Sequence, residues 1–168
     1  MTTRDHVTKW IVYALTLLPL CLADQFILGR ITPFGVAPLL YPLAAVAVGM
    51  MEGPFAGSLY GMGAGLAWWL GWGSPITILM LTLAGLLAGA AAQKGLGINL
   101  LNYALACLVL LTFGDGLRVL IYFLRDIASL PALLAVALPE LICSLIFSVP
   151  VYFLYRFVFR RVGGTALA

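Results

Sequence analysis

The stretch PLLYPLAAVAVGMMEGPFAGSLYGMGAGL, residues 38–66, decides the fold. It opens on Pro38 and Pro42, runs apolar to Met51, breaks at Glu52-Gly53-Pro54 and turns apolar again, with Glu52 as its one formal charge. Gly49, Gly53, Gly57, Gly61 and Gly65 recur every four residues. Four residues advance a helix by about 400°, so Gly57, Gly61 and Gly65 line one narrow, slowly rotating stripe, which Ala56, Ser58 and Ala64 widen. Gly85 and Gly89 repeat the spacing further on. In lipid, small residues four apart let helix backbones approach closely. The stripe therefore has two expected uses: packing within the chain, and docking of a partner's helix. A phosphate cradle is excluded, because no Gly-Lys-Ser/Thr follows and no strand precedes the run.

The rest of the chain continues this pattern. Of 168 residues, 64% are hydrophobic and 9% charged, where a soluble domain carries about 25% charged residues. The mean hydropathy is +1.12. So few charges cannot cover a soluble surface, and the composition equally excludes a disordered chain and a disulfide-rich module. An integral membrane protein remains. At about 20 apolar residues per span, the sequence divides into six transmembrane helices, near residues 10–28, 36–51, 54–72, 76–92, 100–124 and 132–158. Proline in the first turns of the second span is tolerated, since the amides there have no helical partner. Short connections make successive helices antiparallel neighbours in one compact all-α domain. The polar start before Trp10 could open a signal peptide, but Leu22-Ala23-Asp24 lacks a small-x-small cleavage pattern, so a retained first helix is expected.

Charge placement sets the orientation. Arg4, Lys9, Lys94, Arg156, Arg160 and Arg161 fall on one side, Arg30 and Arg125 on the other, which places both termini in the cytoplasm. Trp10, Tyr152, Tyr155 and Phe157 at the inner level, and Trp68, Trp69 and Trp72 at the outer, read as interfacial aromatic belts.

Charges at membrane depth are costly and therefore candidate sites. Asp115 and Arg118, at i and i+3 on the fifth span, can neutralise each other, and Glu140 on the sixth lies at a similar outer depth. The three are expected to form a polar cluster. Glu52, in the inner turn with Gly53 and Pro54, is expected to reach water or headgroups; Asp24, at the outer end of the first span, is similar. Cys21, Cys107 and Cys143 sit in apolar runs without a Cys-x-x-Cys pattern and read as small buried hydrophobes. The single histidine, His6, has no ligand-type neighbours, so no metal is expected. Neither His-Glu-x-x-His nor Gly-x-Ser-x-Gly occurs. Ser58, Thr77, Thr82, Thr112, Ser144 and Ser148 have no histidine within any span. No enzymatic role, cofactor or nucleic-acid partner is expected.

The Pro38–Gly49 run, the Glu52-Gly-Pro-x-x-Gly57 turn and Tyr60-Gly-Met-Gly-Ala-Gly65-Leu66 resemble the bacterial rod-shape-determining protein family MreD. So do Gly114-Asp115 and the closing Pro150-Val-Tyr-Phe-Leu-Tyr-Arg156 with Arg160-Arg161. The likeness covers most of the chain diffusely. Trp68-Trp69 stand where that family often has an acidic residue. The resemblance implies a non-catalytic scaffold of the elongation machinery in the bacterial cytoplasmic membrane. Its partners would be MreC and, through it, the MreB filament and the peptidoglycan synthases, besides membrane lipids. It also implies a bundle like the substrate-capture (S) components of energy-coupling-factor vitamin transporters, which share the length and the Gly-Pro-x-x-Gly turn. That second family is the alternative. It would need a small-molecule pocket from Asp115, Arg118, Glu140 and Asn102 or Thr112, and its small-residue docking pattern on the first span is missing from Ala14-Leu-Thr-Leu-Leu18.

Overall fold

The computed structural model describes residues 3–28, 36–71, 74–95, 97–127 and 129–162; Arg30 and Trp72 lie outside these. The described chain is helical without a strand: α1 (Thr3–Leu22, continued by a wider π-helical turn over Ala23–Leu28), α2 (Leu40–Glu52), α3 (Pro54–Gly71), α4 (Ile76–Gln93), α5 (Leu100–Leu124) and α6 (Leu130–Val162). Three described helices are long and apolar enough to cross a membrane: α4, α5 and α6 as far as Arg161. The polar start is itself helical, since α1 begins at Thr3 and carries Lys9 in its second turn. Asp24 lies in the π-helical turn.

The second helix is shorter than the 36–51 span expected. α2 has 13 residues, about 20 Å at 1.5 Å per residue, against a hydrocarbon core of about 30 Å. Its start follows from the prolines. The ring of Pro42 would clash with a helical carbonyl four residues back, at Pro38, and Pro42 lacks the N–H to bond it, so the first turn is the favourable place for Pro42 and α2 starts at Leu40. Leu39 is accordingly non-helical, at φ −85° and ψ 88°. The other end is set by Gly53, whose φ of +99° suits a residue without Cβ. Pro54 then opens α3 at a first-turn position where its missing N–H costs nothing. α2 and α3 thus form a hairpin with a one-residue link.

α2 is apolar all round, the mark of a buried helix, and every residue from Leu43 to Met51 is buried. α3 and α4 pack against it and against each other, while α5 and α6 pair and close the other side. The glycines make these contacts backbone to backbone. A Cβ at Gly57 would lie 2.5 Å from the Gly49 Cα and equally close to the Gly85 carbonyl oxygen; one at Gly65 would lie 2.6 Å from the Ile78 Cα. Gly61 meets Leu81 and Thr82, and Gly89 meets the Gly53–Pro54 link. Of the two uses expected for Gly57, Gly61, Gly65, Gly85 and Gly89, the structure displays packing within the chain, and that face is already filled by α2 and α4.

Candidate functional site

Two polar clusters interrupt the apolar interior, one at each end of α2. The first is built around Glu52. Its carboxylate is 2% exposed and pairs with the ammonium of Lys9 on α1, itself 7% exposed. The Tyr13 hydroxyl donates to the other carboxylate oxygen, Oε1, at 2.9 Å. The expectation that Glu52 reaches water or headgroups is overturned. α1 packs over the end of α2 and delivers a counter-charge, because a buried carboxylate requires a partner. Tyr13 also stacks on Tyr155 of α6 (centroids 6.5 Å, planes 9° apart) and meets Tyr60 of α3 edge-on. Tyr60 and Tyr155 share a hydrogen bond between their hydroxyls. Four helices thus converge on one charged and phenolic knot.

Tyr152 and Tyr155 are correspondingly not interfacial, since both are buried. The Tyr152 hydroxyl donates to the Ile98 carbonyl at 3.2 Å and accepts from Arg156 at 3.1 Å. Tyr103 of α5, which the sequence reading passed over, donates to the Leu43 carbonyl at 3.0 Å. These phenols tie helices together in the way buried tyrosines usually do, with an apolar body and a bonded hydroxyl. Phe157 does stay exposed, as does Trp69, while Trp68 is half-buried with its ring edge-on to Tyr41 at 4.7 Å.

The second cluster is the expected trio. Arg118 pairs with Glu140 across α5 and α6 and with Asp115 Oδ1 at 3.3 Å along its own helix. Asp115 and Glu140 are buried, whereas the Arg118 side chain is 39% exposed. Asp115 Oδ2 is buried with no hydrogen-bond partner among the described residues. The trio carries two carboxylates against one guanidinium. One helical turn from Glu140, Ser144 donates to the Glu140 carbonyl and accepts from the Leu39 amide at 2.8 Å. That bond satisfies one of the amides that a helix start leaves open, and it ties the beginning of α2 to α6.

Other candidates stay apart. Asn102 donates to the Gly97 carbonyl at 2.9 Å, at the opposite end of α5 from Asp115, and Thr112 is exposed. Thr82 bonds the Ile78 carbonyl on its own helix. Cys107 and Cys143 are buried and Cys21 is partly buried. Among the described residues, no three His, Cys, Asp or Glu side chains come together in a metal-binding group. The chemistry on display is therefore charge pairing and hydrogen bonding between helices. No family model, curated protein or solved structure matches this chain.

Proposed function

We propose that this chain is a non-catalytic scaffold of the bacterial elongation complex, an MreD-like protein of the cytoplasmic membrane that supports cell shape and peptidoglycan synthesis. In this reading it crosses the membrane six times with both termini in the cytoplasm. It would hold MreC and, through it, MreB and the peptidoglycan synthases. One observation carries the reading: the residues that resemble MreD have a physical task. Gly49, Gly57 and Gly85 are in backbone contact, and Gly53–Pro54 forms the link that Gly89 packs on. The stretch that resembles MreD is thus the seam of the bundle. The ion pairs between helices support the same reading, since Lys9 with Glu52 and Arg118 with Glu140 join helices to one another.

A specific observation favours the alternative, an S component of a vitamin transporter. α2 begins inside the bundle beside Ser144, one turn from the acidic pair, and a helix that starts at membrane depth is a common way to present a ligand site. Deletion separates the two. Loss of rod shape, restored by the gene and accompanied by co-purification with an MreC-like neighbour, supports the scaffold. Submicromolar binding of a vitamin-sized ligand by the purified protein, with normal cell shape after deletion, overturns it in favour of the transporter subunit.

A further inference from the structure

Asp115 lies nine residues before Leu124, the last residue of α5, about 14 Å along the helix. Its side chain is 9% exposed and that of Glu140 is 8% exposed. A single guanidinium nitrogen, Arg118 Nη2, touches both carboxylates, meeting Asp115 Oδ1 at 3.3 Å. Nη1 reaches the other Glu140 oxygen, Oε1, at 3.5 Å. Glu140 therefore has both oxygens on the guanidinium, whereas Asp115 has one. Asp115 Oδ2 is buried with no hydrogen-bond partner among the described residues.

With all three groups ionised, the trio is one negative charge in excess. The elements packed on α5 do not correct this. They are chiefly α6, α2 and α4. α6 brings Glu140 and the buried thiol of Cys143. α2 brings Tyr41, which lies by Cys21 and Asp24. α4 carries no titratable side chain. On α5 itself, Tyr122 neighbours Arg118. Among the described residues, the charges acting on Asp115 are those of Arg118 and Glu140.

A buried carboxylate with an unbonded oxygen is far costlier than the neutral acid, and such a group takes up a proton instead of staying charged. A water on Oδ2 would supply a hydrogen bond but leave the charge. A hard metal ion such as calcium wants about six oxygen ligands or more. Among the described residues, no three His, Cys, Asp or Glu side chains gather to supply them. A proton needs one oxygen, and Oδ2 is unoccupied by any donor.

We propose that Asp115, Arg118 and Glu140 form a proton-binding site between α5 and α6. The proton comes from water and forms an O–H bond at Asp115 Oδ2. Glu140 keeps its charge against Arg118, and the trio becomes neutral. Two carboxylates on one guanidinium titrate as a unit; the orphan oxygen puts the proton on Asp115. The inference goes beyond the scaffold reading and holds equally for a transporter subunit.

Infrared spectroscopy of the full chain in lipid nanodiscs tests this, through the carbonyl stretch of protonated carboxylic acids at pH 6. An ordinary aspartate is only about 1% protonated there. Asp115 is expected to be at least half protonated, roughly fifty times more than that reference. Asp115→Asn, which keeps the shape of the neutral acid, should remove this band, and Asp24→Asn should leave it. Glu140→Gln should lower the band about tenfold although Asp115 is intact, because Asp115 then becomes the only carboxylate on Arg118 and ionises. A merely structural Glu140 would not move it. If Glu140→Gln fails to fold, the comparison of the unaltered chain with Asp115→Asn decides alone. The proposal is overturned by an absence of any Asp115-dependent band at pH 6, by a band that folded Glu140→Gln leaves unchanged, or by a band that sodium or calcium ions displace at constant pH.

Discussion

Lys9 and Glu52, separated by 43 positions, form a buried ion pair that fastens α1 over the end of α2. Taking two charges out of water is expensive, and the attraction repays it only while both partners are present. Lys9→Met or Glu52→Gln should therefore each destabilise the protein by about 3 kcal/mol, the lower end of the range for breaking a buried pair. The double variant Lys9→Met/Glu52→Met should recover at least half of the summed loss, because no orphan charge remains. Unfolding midpoints in one detergent across the four-member cycle check this. Additive losses would mean the two side chains act independently.

Tyr60 and Tyr155 offer the same logic with neutral groups. Their hydroxyls bond to each other across α3 and α6, and both side chains are buried. Tyr60→Phe alone leaves the Tyr155 hydroxyl without this partner and should cost about 1–2 kcal/mol. Tyr60→Phe/Tyr155→Phe should cost less than the two single changes combined, since an apolar pair of the same shape replaces a bonded one. A cycle of thermal midpoints reads the coupling; equal single and double losses per hydroxyl would contradict it.

The glycines separate into two groups that a substitution series should distinguish. Gly57→Ala and Gly85→Ala place a methyl against backbone, 2.5 Å from the Gly49 Cα in the first case and the Gly57 carbonyl carbon in the second. Backbone cannot move aside as a side-chain end can, so each should lower the yield of folded protein severalfold. Gly63→Ala and Gly114→Ala meet nothing within 4 Å and should leave stability unchanged or raise it by up to about 1 kcal/mol, alanine being the better helix former. Monodisperse yield after purification is the readout. Equal yields from Gly57→Ala and Gly63→Ala would rule out close backbone packing as the reason for the stripe.

What the sequence made legible was local. The four-residue glycine spacing is a property of one helix, so its close-packed face could be read before any partner was known. Asp115 and Arg118 were legible for the same reason, being one turn apart on α5, and Glu140 could be added by depth. The Glu52 knot was not legible. Nothing in the residues near Glu52 points to Lys9, because the contact depends on how α1 crosses the bundle. Position along the helix does not separate the two environments of Tyr152 and Tyr155: a tyrosine near a helix end suits an interface equally well, and it is Tyr103 of α5 that covers Tyr152 while Tyr13 of α1 and Tyr60 of α3 cover Tyr155. The later start of α2 could have been read from Pro42, whose ring is best accommodated in the first turn of a helix.

Ser144 gives the most local prediction. Its hydroxyl accepts from the Leu39 amide at 2.8 Å while donating to the Glu140 carbonyl, so a single oxygen caps the start of a buried helix from a neighbouring one. No side chain at Leu39 itself does so. Ser144→Ala should cost about 1 kcal/mol, the usual worth of a helix N-cap, without reducing the volume of the core appreciably. The loss should be concentrated where the bond was: amide exchange should accelerate about fivefold over Leu39–Leu43, following from that energy if opening is local, and remain unchanged in the glycine-packed half of α2 from Gly49 onward. Hydrogen exchange with peptide-level mass spectrometry in detergent resolves the two halves. Acceleration spread evenly along α2 would mean that Ser144 stabilises the bundle as a whole rather than anchoring the first turn.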